Sequence, residues 1–194
     1  MCMSQGNKKN KIAIVGHTRG IGKAISDLYQ KKNYEVIGLS SSNGYDLQFS
    51  QVEIMEQIDD CRLIVINAYV GGGQMTLLKR IYGKYLFENK KVVVITSTSG
   101  TPIGADEELG NPEYRDYCKN KKILIGYIEE LQQELFNKPL SIYDVCPDVV
   151  DTEMTKGLWE DLPKLTAGEV AEAVRYCFES TFNVNKIVIQ KNAH

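Results

Sequence analysis

Histidine is scarce in this chain. Two of its 194 residues are histidines, and one of them, His194, is the last residue. A metal site built on several imidazoles, or a serine activated by a histidine base, would therefore have to rely on His17. We expect neither a metal site nor a catalytic triad of that kind.

Cysteine is present but is not arranged for disulfides or metal binding. The chain has five cysteines, an odd number, at positions 2, 61, 118, 146 and 177, and none of the spacings matches a zinc site. Residues 1–11 are polar and do not have the apolar core of a secretory signal. We therefore expect free thiols and a cytoplasmic location.

Long apolar runs and an excess of one charge are also missing. No apolar run reaches the length that spans a bilayer. The 23 lysines and arginines nearly balance the 25 acidic residues, which leaves a net charge of −2. These features predict neither a membrane nor a nucleic acid as a partner. The length predicts a single domain over residues 1–194, with residues 1–11 flexible.

Short apolar runs alternate with amphipathic stretches along the chain. The predicted strands are residues 12–15, 35–39, 63–66, 92–96, 140–145 and 186–189. The predicted helices cover residues 21–32, begin near Ser50, span 76–87 and 113–136, and begin at Thr166. Ser50 with Glu53, and Thr166 with Glu169, have the spacing of capping boxes. This alternation predicts an α/β, three-layer Rossmann-like fold with a parallel sheet of about six strands.

The connection after the second predicted strand is unusually short. That strand ends near Ser40, and Asp46 follows six residues later. A parallel crossover takes a dozen or more residues. We therefore expect the sheet to lack the usual helix and strand after strand two. The predicted spatial order is strand two, strand one, then the four later strands.

A glycine-rich turn joins the first strand to the first helix. Gly16, Gly20 and Gly22 follow the strand at residues 12–15. Gly16 permits the turn, Gly20 lets the backbone approach a diphosphate, and Gly22 lets the helix sit close to the strand. The turn predicts a dinucleotide site at the helix N-terminus. The alternative is a glycine-rich loop that binds no ligand.

Tyr117 and Lys121 lie one turn apart on the fourth predicted helix. Apolar residues continue the same face, so this face is expected to pack inward. A lysine beside a tyrosine stabilises the phenolate and lowers the phenol pKa, which makes tyrosine a usable acid or base. The alternative is an amphipathic helix with a snorkelling lysine.

Together these motifs resemble, in order and along nearly the whole chain, the short-chain dehydrogenase/reductase family, of which this would be an unusually short member. Residues 16–22 resemble the cofactor loop, Asp46-Leu47 the pair that meets the adenine, Asn67-Ala68-Tyr69 the Asn-Ala-Gly element, and residues 147–154 the nicotinamide-holding segment. Ser97, three residues before Gly100, matches the catalytic serine. Tyr117 and Lys121 match the catalytic pair.

The resemblance implies hydride transfer between a nicotinamide and a small-molecule carbonyl or alcohol. Tyr117 would be the acid/base, Lys121 would hold the ribose and Ser97 would bind the substrate oxygen. The implied cofactor-binding residues are Gly16, Thr18, Arg19, Gly20, Ile21, Gly22, Ser40, Ser41, Asp46, Leu47, Asn67, Ala68, Tyr117, Lys121, Pro147, Val150 and Thr152. The family also implies a homodimer or homotetramer.

The end of the second predicted strand bears on the choice of cofactor. Serines occupy positions 40–42, and no acidic side chain follows before Asp46. A carboxylate at this position would bind the ribose hydroxyls of NAD and repel a 2′-phosphate. Arg19 in the loop can supply a positive charge to that phosphate. We therefore expect NADP(H), with NAD(H) as the alternative.

Departures from the family pattern keep a second hypothesis open. Tyr69 and Asp148 stand where the family has glycine, and no asparagine between Asn67 and Asn89 can be the family's fourth catalytic residue. The second hypothesis is a catalytically reduced NAD(P)-binding sensor or regulator. Sugar-nucleotide epimerase or dehydratase chemistry ranks third, because the chain is short. Residues 101–114 and 156–164 are candidates for a substrate lip and lid.

Overall fold

The computed structural model describes residues 10–102 and 112–192. The strands are β1 (Lys11–Val15), β2 (Glu35–Leu39), β3 (Leu63–Ile66), β4 (Lys91–Ile95), β5 (Ser141–Pro147), β6 (Val150–Asp151), β7 (Leu165–Thr166) and β8 (Lys186–Ile189). The helices are α1 (Gly20–Lys31), α2 (Gln51–Gln57), α3 (Gly73–Tyr85), α4 (Pro112–Glu134) and α5 (Ala167–Glu179).

The main sheet has six parallel strands in the order β2-β1-β3-β4-β5-β8. This confirms both the predicted fold class and the predicted strand order. After β2 the chain makes a short 3-10 turn, Ser41–Asn43, and reverses at Gly44, whose φ is +91°. It then enters α2 directly. Strand β2 is therefore an edge strand of the described sheet.

Two apolar layers cover the sheet, because alternate residues of each buried strand point to opposite faces. Ala13 and Val15 belong to the layer that also contains buried residues of α2, α3 and α4. Ile12 and Ile14 belong to the layer formed with α1 and α5. Helix α4 buries Leu124, Ile128 and Leu131, which continue the inward face predicted for Tyr117 and Lys121.

Several local predictions need correction. Ser50 precedes α2 but does not cap it, since its Oγ donates to the Gly44 carbonyl at 3.3 Å. The Thr166 box is confirmed: Thr166 Oγ1 accepts from the Glu169 N–H at 3.2 Å, and Glu169 Oε2 accepts from the Thr166 N–H at 2.7 Å. Strand β1 begins at Lys11, so the stretch predicted to be flexible lies mostly outside the described residues.

Helix α3 begins three residues before its predicted start, at Gly73. The parallel pair β6–β7 was not predicted. Among the described residues, no helix is long and apolar enough to cross a bilayer. The cysteines at 61, 118, 146 and 177 are buried and are not in disulfides.

Candidate active site

The glycine-rich loop is folded tightly at the carboxyl end of β1. Gly16 has φ +89°, and its N–H donates to the Leu39 carbonyl at 2.6 Å. Asn67 Nδ2 donates to the Gly16 carbonyl at 2.8 Å. A Cβ on Gly22 would lie 1.8 Å from the Gly16 oxygen, so only glycine lets α1 sit this close to the loop.

The N-terminus of α1 faces the segment that follows β5. Arg19 is the exposed N-cap residue and forms no side-chain cap. Gly20 has φ +52°, and a Cβ there would lie 3.1 Å from the Thr152 methyl group. Thr152 therefore borders the loop, as a residue near a dinucleotide would. A tight glycine loop ahead of a helix N-terminus without a side-chain cap fits a diphosphate.

The predicted adenosine end lies beside β2. Buried Ser40 donates from its N–H to Asn43 Oδ1 at 2.8 Å, so it closes the turn. Asp46 Oδ1 accepts from the Gln48 N–H at 2.7 Å and also shapes a turn. Ser41 is exposed beside them. Leu47 is buried against Gly73 rather than open to a ligand.

His17 also belongs to this end of the site, although the sequence did not single it out as a ligand residue. Its ring covers Gly38, where a Cβ would come within 2.3 Å of the imidazole. Its Nδ1 is buried and finds no hydrogen-bond partner in the part of the chain that the structure describes. Only a glycine in β2 leaves room for this ring.

Ser97, Tyr117 and Lys121 come together beyond the carboxyl end of β4. Ser97 Oγ accepts from the Ser99 N–H at 3.2 Å and so caps the 3-10 turn Thr98–Gly100. The Ser97 side chain also interacts with Tyr117 and lowers the pKa of its phenol. A Cβ on Gly100 would lie 2.7 Å from the Lys121 backbone, so this turn brings α4 directly against the end of β4.

The pKa of Tyr117 differs from the sequence prediction, and the pKa of Lys121 is also displaced from its ordinary value. Burial raises the pKa of Tyr117 to about 12, against the lowering effect of the Ser97 side chain. The predicted lowering by Lys121 is therefore not seen. Burial lowers the pKa of Lys121 to about 7, with the Asp144 carboxylate acting in the opposite direction. The Lys121 ammonium donates to Gln74 Oε1 at 2.8 Å and to the Ile95 carbonyl at 2.9 Å.

An aromatic row extends outward from Tyr117. The Tyr69 ring meets Tyr117 edge-on with centroids 4.8 Å apart, and Tyr114 stacks on the other side at 6.3 Å. Trp159 is 5.7 Å from Tyr114 and remains 41% exposed. Trp159 therefore packs on the row and also faces solvent. The acidic part of the predicted lip, residues 106–108, lies outside the described residues.

The segment after β5 is tied to the turn after β4. Asp148 Oδ1 accepts from Thr98 Oγ1 at 2.8 Å, and its N–H donates to the Ile189 carbonyl at 2.9 Å. The Val150 carbonyl accepts from Thr155 Oγ1. These two hydrogen bonds give Asp148 a structural role, because they fix the chain between Pro147 and Val150.

Sequence comparison finds relatives at low identity. No established family profile matches the chain. It is 25% identical to the 3-oxoacyl-[acyl-carrier-protein] reductase of Vibrio harveyi over 210 residues, which cover 84% of this chain and 83% of that protein. The Escherichia coli protein of the same name is 25% identical over 225 residues, which cover 88% and 90%.

Solved structures share the fold. A short-chain dehydrogenase from Burkholderia cenocepacia in complex with NADP has a TM-score of 0.74 at 14% identity, covering 94% of this chain and 89% of that one. A Pseudomonas 3-alpha-hydroxysteroid dehydrogenase complexed with NADH has a TM-score of 0.72 at 15% identity, covering 93% and 95%.

The relatives are named as reductases, and the two neighbouring structures are named as dehydrogenases in complex with NADP or NADH. The chain is similar to the 3-oxoacyl reductases at low identity, and it shares the fold of the short-chain dehydrogenase structures. The nicotinamide cofactor expected from the sequence is of the class found in the neighbouring structures.

Proposed function

We propose that this protein interconverts a small-molecule carbonyl and alcohol with NADP(H), and that Tyr117 is the acid/base. The observation that carries the proposal is the placement of Ser97 against Tyr117 beside Lys121, at the same sheet edge as the glycine loop. Ligands of open α/β sheets bind at this carboxyl edge.

The residues present fit a dinucleotide. When bound, it supplies the hydride. The N-terminus of α1, which begins at Gly20, would hold the diphosphate. Thr152 would border the diphosphate from the opposite side. Arg19 and Ser41 are both exposed and would take the 2′-phosphate of NADP(H). Lys121 would donate to the nicotinamide ribose.

The protonation states support reduction. A phenol with a pKa of about 12 carries its proton at neutral pH, so Tyr117 is ready to donate. A carbonyl oxygen held by Ser97 and Tyr117 would take this proton as it gains negative charge, and the hydride would go to the carbon. The product is the alcohol, and Tyr117 regains a proton from solvent.

The first carbonyl to test is a 3-oxoacyl thioester. The relatives in Vibrio harveyi and Escherichia coli are named as reductases of 3-oxoacyl groups on a carrier protein. Tyr69, Tyr114 and Trp159 offer an apolar wall beside Tyr117. Such a wall suits an uncharged substrate chain.

The test is NADPH oxidation with acetoacetyl thioester and a panel of ketones and aldehydes. Tyr117→Phe should lower turnover ~10²–10⁴-fold and leave the NADPH dissociation constant nearly unchanged, because the phenol proton matters only as the oxygen gains charge. Tyr127→Phe, on the same helix but packed in the core, is the control. Near wild-type rates for Tyr117→Phe would contradict the assignment.

A second function, cofactor binding without turnover, is favoured by one observation. The Tyr69 ring, which replaces the family's glycine, lies 5.5 Å from Nζ of Lys121, and Lys121 is only 3% exposed. This protein would then bind NADPH and reduce no member of the panel. Tyr69→Gly, which introduces the residue typical of the family, separates the two functions. If turnover appears only in this variant, the wild type is the catalytically reduced form.

A further inference from the structure

We propose that Gln74 is a positioning residue that orients Lys121 and keeps it charged for the reaction proposed above. Gln74 is 2% exposed and lies in the first turn of α3, far in sequence from Lys121. The relation between the two rests on the hydrogen bonds of the Gln74 amide.

The orientation of that amide is fixed by two strands. Gln74 Nε2 donates to the Ile66 carbonyl at 3.2 Å and to the Ile95 carbonyl at 3.1 Å. These carbonyls lie at the ends of β3 and β4. A carboxamide nitrogen has two N–H donors, and both are used here. The Gln74 oxygen must therefore point away from both strands, and it points to the Lys121 ammonium.

The ammonium of Lys121 has three donors, and two of them meet fixed acceptors. They bond Gln74 Oε1 at 2.8 Å and the Ile95 oxygen at 2.9 Å. The ring centroids of Tyr69 and Tyr117 each lie 5.5 Å from Nζ. With two donors held by Gln74 and Ile95, the ammonium keeps one N–H for the ribose that Lys121 would bind.

Gln74 also favours the charged form of a lysine that burial makes easy to discharge. The groups facing Nζ are Gln74 and Tyr69 from the β3 side, the Ile95 carbonyl from β4, Asp144 and Cys146 from β5, and Tyr117 from its own helix. A neutral acceptor stabilises an ammonium without adding charge. Loss of this acceptor should leave the lysine largely neutral at neutral pH.

The test compares Gln74→Leu with Gln74→Glu, using the pH dependence of NADPH binding and of kcat/KM. Gln74→Leu should shift the alkaline limb of both profiles to a pH about one unit lower. At pH values above that limb, the affinity for NADPH should fall ~tenfold. Gln74→Glu keeps an acceptor and adds a negative charge, so it should move the limb upward. If the role of Gln74 were purely structural, both variants would lose the hydrogen bonds from Nε2 to the Ile66 and Ile95 carbonyls, and they would behave alike.

A double-mutant cycle with Lys121→Met locates the effect. If Gln74 acts through Lys121, then Gln74→Leu should change NADPH binding by less than about twofold once Lys121 is Met. An unchanged effect in that background would overturn the proposal. Gln132→Leu is the matched control, because Gln132 Nε2 also bridges two carbonyls, of Ile142 at 3.0 Å and Asn185 at 2.6 Å.

The proposal rests on the proposed function, but its test does not require turnover. If no carbonyl is reduced, the cycle on NADPH binding still measures the coupling between Gln74 and Lys121. If Gln74→Leu does not fold, the upward shift in Gln74→Glu decides the question, and its absence refutes the proposal.

Discussion

Replacing Lys121 by Met should change how the stability of the protein depends on pH. The pKa of Lys121 is about 7 in the folded protein and 10.5 is its ordinary value, so between these pH values the unfolded chain holds a proton that the folded chain has released. The free energy of unfolding then rises with pH. Below pH 7 both states are protonated, and the folded state carries the full cost of the buried ammonium.

The size of the effect follows from the shift. A difference of about 3.5 pKa units corresponds to ~5 kcal/mol at 1.36 kcal/mol per unit, of which ~2 kcal/mol is recovered between pH 7 and pH 9, because half of the folded molecules have already lost the proton at pH 7. Lys121→Met cannot take up a proton, so its stability should not contain this contribution. The Met variant also loses the hydrogen bonds from Lys121 to the Gln74 and Ile95 oxygens, but the free-energy cost of this loss is nearly constant with pH.

The assay is urea unfolding of wild type and Lys121→Met at pH 6, 7, 8 and 9. Wild type should gain about 2 kcal/mol relative to the variant between pH 7 and pH 9. Lys122→Met is the control, because Lys122 is exposed on the same helix and its difference from wild type should be flat. A flat difference for Lys121→Met would refute the placement of a buried, easily discharged ammonium at this site.

Three further outcomes are expected. Arg19→Ala should raise the KM for NADPH far more than the KM for NADH, and equal effects in a steady-state comparison would remove Arg19 from the 2′-phosphate site. Gly100→Ala should cost ~1–3 kcal/mol in urea unfolding, because the new Cβ meets the Lys121 backbone at 2.7 Å, whereas Gly83→Ala, with open space around it, should be neutral or stabilising. Thr166→Ala should cost ~1 kcal/mol by removing the cap of α5, as measured by thermal or urea unfolding.

The topology could be predicted because it depends on chain length as much as on side chains. Between Ser40 and Asp46 there are too few residues for a crossover, whatever their identity. Strands β6 and β7 could not be predicted in this way. Each has only two residues, too few to show a period of two, and they pair because the segment after β5 runs beside the start of α5.

The two capping boxes show where a local pattern is insufficient. Both Ser50 and Thr166 have a Glu three residues later, but only Thr166 has the extended backbone of a capping residue, with φ −80° and ψ 152°. Ser50 has φ −108° and ψ 33°, because the preceding turn from Gly44 sets its backbone. The conformation of the residue before a helix depends on the chain that leads to it.

The grouping of Ser97 with Tyr117 and Lys121 was predicted from the family resemblance, because position alone does not separate Ser97 from Ser99. The contacts that determine their charges were not predictable, because they come from other elements. Gln74 reaches Lys121 from α3 across two strand ends. In the sequence it is a polar residue after three glycines, and only its burial in a helix turn marks it as important.

The opposite pKa shifts of Tyr117 and Lys121 have one cause and a joint consequence. Burial penalises the charged form of each, so the phenol keeps its proton and the ammonium tends to lose one. The low pKa that the sequence predicts for Tyr117 therefore requires a charged neighbour near its oxygen, and the ammonium is instead held by Gln74 and Ile95. A site in this state is suited to giving a proton to a carbonyl oxygen. Oxidation of an alcohol needs the phenolate, which is scarce at neutral pH when the pKa is about 12. The protonated phenol of Tyr117 is therefore the form that the proposed reduction would use.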